Sequence, residues 1–358
     1  MPSEALHVRG VVLPEQEHRD LWIVDGRVTY EPVSDATTAA EGWVLPGLVD
    51  AHCHVGLDEH GGVPGDVQER QALEERDAGV LLIRDAGVPP DTRWIDARED
   101  LPRVIRAGRH LARTKRYIRN YGHEIEPEDL VAYVVAEAQR GDGWVKLVGD
   151  WIDRDKGDLG PCWPREALEA AITAAHEHGA RVTAHVFGED ALPDLLGAGI
   201  DCIEHGPGLT DETIATMATR GVALVPTLIN IDEFPAFAAQ GEARFPAYAQ
   251  HMRDLYARRD ETFRAAYEAG VPLYAGTDAG GVVAHGLVGR EVMALHRAGL
   301  TAEDALAAAS WRARSWLGHP GLDEGDPADL VVLAADPLDD LEAVTAPARV
   351  LLRGRVVV

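Results

Sequence analysis

The sequence predicts an α/β protein: a (β/α)8 TIM barrel over residues 44–320, beside a small β-sandwich domain built jointly from residues 1–43 and 321–358. Three observations predict it. Short apolar runs alternate with amphipathic helical stretches, the pattern of a parallel sheet covered by helices. Eight such units fit into about 275 residues, the size of one barrel. The two ends carry only short β-like runs with turn signals, and neither end alone could enclose a core.

In chain order, the eight strands are expected at Val44–Val49, Val80–Arg84, Arg103–Ala107, Trp144–Val148, Arg181–Val186, Asp201–Glu204, Ala223–Leu228 and Pro272–Ala275. Between them, apolar residues recur at helical spacing over Pro127–Arg140, Pro164–His178, Thr210–Arg220 and Phe245–Ala269. Thr210-Asp211-Glu212 and Thr301-Ala302-Glu303 are helix starts. Gly141, Gly179, Gly221 and Gly270 are helix stops. At the ends, Leu21–Val24 and Arg27–Tyr30 flank an Asp25-Gly26 turn, and Asp329–Leu333 precedes Ala348–Val358, which Arg353-Gly354 interrupts. A doubly wound open sheet is the alternative, but no Gly-rich phosphate fingerprint follows the first strand.

Composition narrows the function. A net charge of −26 argues against nucleic acid, whose phosphates need a positive counter-surface. No apolar run reaches the roughly 18 residues that span a bilayer, so no membrane partner is expected. Met1-Pro2-Ser3-Glu4 lacks the basic and apolar regions of a secretory signal. Three separated cysteines make no disulfide framework. The expected compartment is the cytoplasm and the expected partner a small molecule.

The chain has thirty-one arginines but only three lysines, Lys115, Lys146 and Lys156. Lys146 lies in an apolar strand, where an amine can lose its proton and a guanidinium cannot. The first strand ends Asp50-Ala51-His52-Cys53-His54, which puts His52 and His54 on one face and turns Cys53 away. His185, His205 and Asp278 follow at the ends of the fifth, sixth and eighth strands. Functional groups of a barrel gather at those ends, and imidazoles with a carboxylate are metal ligands. Cys53, Cys162 and Cys202 are expected in the core, and no Gly-x-Ser-x-Gly elbow supports a serine nucleophile.

These segments resemble the amidohydrolase superfamily: Pro46 to His54, Lys146, His185, Ile203-Glu204-His205-Gly206, Gly276-Thr277-Asp278 and Gly325 to Leu333. Ile83-Arg84-Asp85-Ala86-Gly87 and Val225-Pro226-Thr227-Leu228 resemble its imidazolonepropionase-like and Xaa-Pro-dipeptidase-like branch. The resemblance implies two divalent metal ions, Zn²⁺ first among them. His52 and His54 would hold one, His185 and His205 the other, with Lys146 as a CO2-derived carbamate bridging both and Asp278 completing the first. It also implies hydrolysis of a C–N bond in an amide, cyclic amide or dipeptide-like molecule by a metal-bridging hydroxide, with Asp278 moving the proton. Homo-oligomers are common in the family. A mononuclear cyclic amidohydrolase or deaminase is the alternative, and such members usually lack the lysine. A non-catalytic scaffold would have lost metal ligands, and none is lost here.

The basic segment Arg113–His123 follows the third strand, so Arg116, Tyr121 and His123 are candidate substrate contacts, with Asn230 and His285 beyond the seventh and eighth strands. His176 and His178 lie on a helix and are expected in solvent. Where several related dipeptidases carry a tyrosine that holds the substrate carboxylate, this chain has Phe187. That departure shifts the expected substrate from a free dipeptide toward a cyclic amide, an N-acyl compound or an apolar amide or ester.

Overall fold

In a computed structural model, which describes residues 5–358, the two ends of the chain meet in one seven-stranded sheet. Its strands lie in the order Arg355–Val356, Arg349–Leu352, Leu330–Leu333, Thr37–Pro46, Leu6–Val12, Glu17–Val24 and Arg27–Thr29. Asp25-Gly26 and Arg353-Gly354 each form a two-residue turn with positive φ at both positions (50° and 77°, 49° and 75°), the backbone that matches strand twist in a tight hairpin. Leu6–Val12 runs parallel to Thr37–Pro46 with Gly10 opposite Gly42. A Cβ on Gly10 would lie 1.6 Å from the Gly42 carbonyl oxygen, so only glycine permits that approach. Val8, Leu21, Val44, Leu330, Val332 and Leu351 pack into a core belonging to this sheet.

The first expected strand, Val44–Val49, is divided in the structure. Thr37–Pro46 belongs to the end sheet and Leu48–Cys53 to the parallel one. The chain crosses between them at Gly47, whose N–H donates to the Asp329 carbonyl (2.9 Å) and whose missing side chain makes room for Leu81. Apolar patterning alone could not show this change of sheet, because both halves are buried.

Parallel strands then alternate with helices. Leu48–Cys53, Val80–Asp85 and Arg103–Arg106 form one sheet. His123–Ile125, Leu111–Arg113, Trp144–Val148, Arg181–Val186, Cys202–His205 and Ala223–Val225 form a second, in that order. The seventh strand stops at Val225, short of the expected Leu228. Pro226 has no N–H to donate, and Leu228–Ile231 is a helical turn whose first N–H groups are taken by the buried Glu291 carboxylate (2.8 and 3.0 Å). The expected strand Pro272–Ala275 is not continuous. Its backbone still bonds to both neighbours: Leu224 N–H to the Pro272 carbonyl, Tyr274 N–H to the Leu224 carbonyl, and Ala51 N–H to the Ala275 carbonyl. Residues 272–279 thereby link the Ala223–Val225 strand to Leu48–Cys53.

Helices Leu130–Arg140, Arg165–Glu177, Asp211–Arg220 and Pro246–Glu268 occupy the predicted stretches. Thr210 and Thr213 form a reciprocal capping box, and Thr301 accepts from the Asp304 N–H at 3.0 Å. Arg113–His123 is not a plain loop: its ends are short strands paired Leu111 to His123. Among the described residues, no helix is long and apolar enough to cross a membrane.

Candidate metal centre and active-site cavity

The C-terminal ends of the parallel strands bring His52, His54, Lys146, His185, His205 and Asp278 into one buried cluster. His52 Nδ1 donates to Glu204 Oε2 (2.6 Å) and His54 Nδ1 to the Gly87 carbonyl oxygen (2.9 Å). A carbonyl cannot donate and an ionised carboxylate only accepts, so the proton in each of these bonds sits on Nδ1, and Nε2 is the nitrogen turned to the cluster. The two Nε2 atoms are nevertheless 3.2 Å apart, and Asp278 Oδ1 is 3.0 Å from each. Two imidazole nitrogens and a carboxylate oxygen thus converge on one point. Their spacing is close to the roughly 3.3 Å edge of a tetrahedron of donors at Zn–N and Zn–O distances. This donor set fits a divalent cation.

The second half of the cluster faces the first. His205 lies with its ring centroid 5.1 Å from His52 and 4.7 Å from His185, and its Nδ1 shares a 2.7 Å hydrogen bond with Thr227 Oγ1. Nitrogen and oxygen atoms of His52, His205 and Asp278 fall within 4.8 Å of one another. Lys146 Nζ and His185 Nε2 are buried without any hydrogen-bond partner among the described residues. Buried polar atoms are rarely left so, and an amine amid four imidazoles suits a ligand group better than a structural one.

Local backbone geometry aims these groups. His205, Thr227 and Asp278 are non-glycine residues at positive φ (65°, 48° and 60°). Such conformations cost energy and cluster at functional sites. The twist at His205 is what lets adjacent residues Glu204 and His205 both serve the centre, against the alternation of an ordinary strand. Beneath, Arg84 is fully buried, donates to Glu204 Oε1 and to the Ala51 carbonyl (2.7 Å each) and stacks on Trp144 and Trp316. Thr183 Oγ1 also donates to Glu204. A relay thus runs from Arg84 through Glu204 to His52.

Burial sets the protonation states. It pushes the Lys146 amine below its ordinary value, while the charges of Glu204 and Asp278 pull the other way. It holds the His54 ring below, and those of His185 and His205 well below, the usual histidine range, so these rings stay neutral and free to coordinate. For Asp278 and Glu204 burial acts upward but is outweighed: His52 and its hydrogen bonds keep Asp278 low, and Arg84 leads in keeping Glu204 low.

A cavity of about 500 Å³ opens onto the cluster at His54, His185 and Asp278. Aromatic side chains make up a large part of its walls, with Tyr117, Trp151 and Phe187 joined by Phe237, Phe245 and Tyr248 from after the seventh strand. Phe187 stands 4.2 Å from the His185 ring, centre to centre. Arg244 is the one lysine or arginine in the lining.

Of the predicted substrate contacts, Asn230 and Tyr121 line this cavity, the Tyr121 hydroxyl donating to the Asp58 carbonyl at 2.8 Å. His123, Arg116 and His285 do not. His123 Nε2 bonds to Glu137 at 3.0 Å, Arg116 pairs with Asp153 and donates to the Pro161 carbonyl, and His285 Nδ1 lies 2.9 Å from Glu75. Each is held by a local acceptor that sequence order does not reveal. Cys53, Cys162 and Cys202 are buried, and His176 and His178 are exposed. Unforeseen neighbours are Glu204, Arg84, Tyr117, Trp151 and His110, a fully buried ring stacked 5.3 Å from His54. Trp151 could have been found five residues after Lys146; nothing in the local sequence marks His110.

Residues 144–357 match the model of the Amidohydrolase family. An uncharacterized protein of Mycobacterium tuberculosis is 60% identical over 352 residues, 98% of this chain and 95% of that one. Ochratoxinase of Aspergillus niger is 27% identical over 229 residues, covering 62% of this chain and 46% of its own. A crystal structure of a Xaa-Pro dipeptidase with bound methionine superposes with a TM-score of 0.82 at 22% identity, covering 99% of both chains, a likeness of fold that makes the parallel α/β unit TIM-barrel-like. With the strand-end histidines, the buried lysine and the aspartate in one centre, the chain belongs to the amidohydrolase family and is a hydrolase acting on carbon–nitrogen bonds.

Proposed function

We propose that the protein is a binuclear metal-dependent hydrolase that cleaves a C–N bond in a small molecule with an apolar, aromatic body. The observation that carries this is the convergence of His52 Nε2, His54 Nε2 and Asp278 Oδ1 at 3.0–3.2 Å, with both Nδ1 atoms engaged by other acceptors. His52, His54 and Asp278 would hold one divalent ion, Zn²⁺ by donor type, and His185 and His205 a second. Lys146, kept toward its neutral form by burial, is the amine that CO2 can carboxylate, and the two carbamate oxygens would bridge the pair. When bound, such a pair polarises a carbonyl and lowers the pKa of water toward neutrality.

The chain's own residues do the rest. Asp278 keeps one edge open to the cavity, with its side chain 22% exposed, and can accept a proton at its carboxylate and pass it to the departing nitrogen. Trp151, Tyr117 and Phe187 exclude water from the scissile bond and bind apolar substituents. Phe187 offers no hydroxyl, so a carboxylate next to the metals is not favoured.

Lys146→Ala tests the reading. Hydrolysis of N-acyl amides and cyclic amides by the Zn²⁺-reconstituted protein is expected to fall at least about 10³-fold, with bound metal dropping from two per chain toward one by elemental analysis. Full activity in that variant, or one metal per chain in the parent, would sink the proposal.

A further inference from the structure

A second cavity, of about 440 Å³, lies where the end sheet meets the parallel one, and it shares no lining residue with the active-site cavity. Arg27, Arg103, Arg353 and Arg355 line it, against two carboxylates, Asp25 and Glu99. The lining therefore carries two net positive charges in a chain of net charge −26. Arg103 opens its strand, so this cavity sits at the opposite strand ends from the metal centre.

Arg27, Arg103 and Arg353 are each held by acceptors on another segment. The turns at Asp25-Gly26 and Arg353-Gly354 pack directly on each other: a Cβ on Gly354 would lie 2.6 Å from Gly26 Cα, and one on Gly26 2.8 Å from the Arg353 carbonyl oxygen. Arg353 Nη1 donates to the Glu99 and Leu101 carbonyls (2.7 and 2.9 Å), Arg27 Nη1 to Gly325 (2.7 Å), and Arg103 Nε to Asp329 (3.2 Å). Each guanidinium has five N–H donors. Nη2 of Arg27, Nη2 of Arg353 and both terminal nitrogens of Arg103 have no hydrogen-bond partner among the described residues. Neither Arg27 nor Arg353 has a carboxylate partner among the described ion pairs, whereas Arg355 pairs with exposed Glu99 at 2.7 Å.

We propose that this junction is a binding site for a phosphoryl group carried by a small molecule. Pre-positioned guanidinium forks converging from three chain segments match the several acceptor oxygens of a phosphate or pyrophosphate better than a single planar carboxylate. The volume admits the phosphoryl group together with a sugar- or nucleoside-sized body. Because the arginines come from both chain ends and from the parallel unit, the ligand would fasten the seam between them and stabilise the native protein.

Calorimetric titration and thermal unfolding of the metal-loaded protein with inorganic phosphate and with pyrophosphate, against potassium chloride of equal ionic strength, test this. Pyrophosphate is expected to bind more tightly than phosphate and to raise Tm beyond the chloride control. R27Q/R355Q, at two exposed positions, should weaken pyrophosphate binding at least about tenfold. Asp25→Asn, which keeps a residue suited to the turn and removes a negative charge, should tighten it a few-fold. An effect no larger than chloride's overturns the proposal. So does an affinity unchanged in both variants, since the anion would then be sitting on the catalytic metals.

Discussion

Glu204 is fully buried between Arg84, Thr183 and His52, and its charge serves all three. Breaking a buried pair by removing one partner leaves the other charge uncompensated, at a cost of about 3–5 kcal/mol. Glu204→Gln keeps the shape but removes the charge that neutralises Arg84 and fixes the His52 proton on Nδ1. Chemical denaturation should show a loss of stability of that order, and competition with a chromophoric chelator a metal affinity reduced roughly 10–100-fold. Loss of stability with metal affinity unchanged would confine Glu204 to a structural role. The clustered histidines, Lys146 and Asp278 were legible in the sequence because each is a chemically distinctive side chain at a strand end. Their supports were not: Glu204 looks like the wrong face of its strand until the positive φ at His205 is seen.

At the scale of elements, the long helix Pro246–Glu268 places Tyr248 of its first turn in the active-site cavity and is tied down by His251. Its Nδ1 lies 3.0 Å from Asp158 and its Nε2 2.9 Å from Glu189. Hydrogen bonding to Glu189 leads in raising this histidine to about 9. A folded pKa above the unfolded value of about 6.5 means stability present in full below pH 6.5 and lost as pH rises through 9. With allowance for the partly exposed ring, the contribution is about 1–2 kcal/mol. Unfolding free energies at pH 6.5 and pH 10 should differ less in His251→Gln than in the parent by that amount; equal pH dependence would show that His251 does not fasten the helix. The capping box of Asp211–Arg220 was visible from Thr210, and Thr210→Ala should cost about 1 kcal/mol by denaturant titration. The division at Gly47 was not visible, since an apolar run does not say which of two sheets it enters.

At the scale of the whole molecule, the centre joins strands from residues 48 to 279, so the proposed metal pair would cross-link most of the parallel unit. Chelation with dipicolinate should lower Tm by roughly 5 °C and Zn²⁺ should restore it; an unchanged Tm would argue against a resident metal. The aromatic cavity implies that an N-aroyl substrate has a lower KM than a small aliphatic dipeptide, which steady-state kinetics on matched pairs would check.

By itself the sequence determined the alternating α/β order, the meeting of the two ends in β structure and which histidines, lysine and aspartate stand at the strand ends, because periodicity and strand-end chemistry are local signals. Only the tertiary structure decided which basic and polar residues reach the cavity and which are captured by Glu137, Asp153 or Glu75. It alone brought Arg27, Arg103 and Arg353 together at the seam. A side chain's partners are set by contacts between segments far apart in the chain, and no spacing along the sequence encodes them.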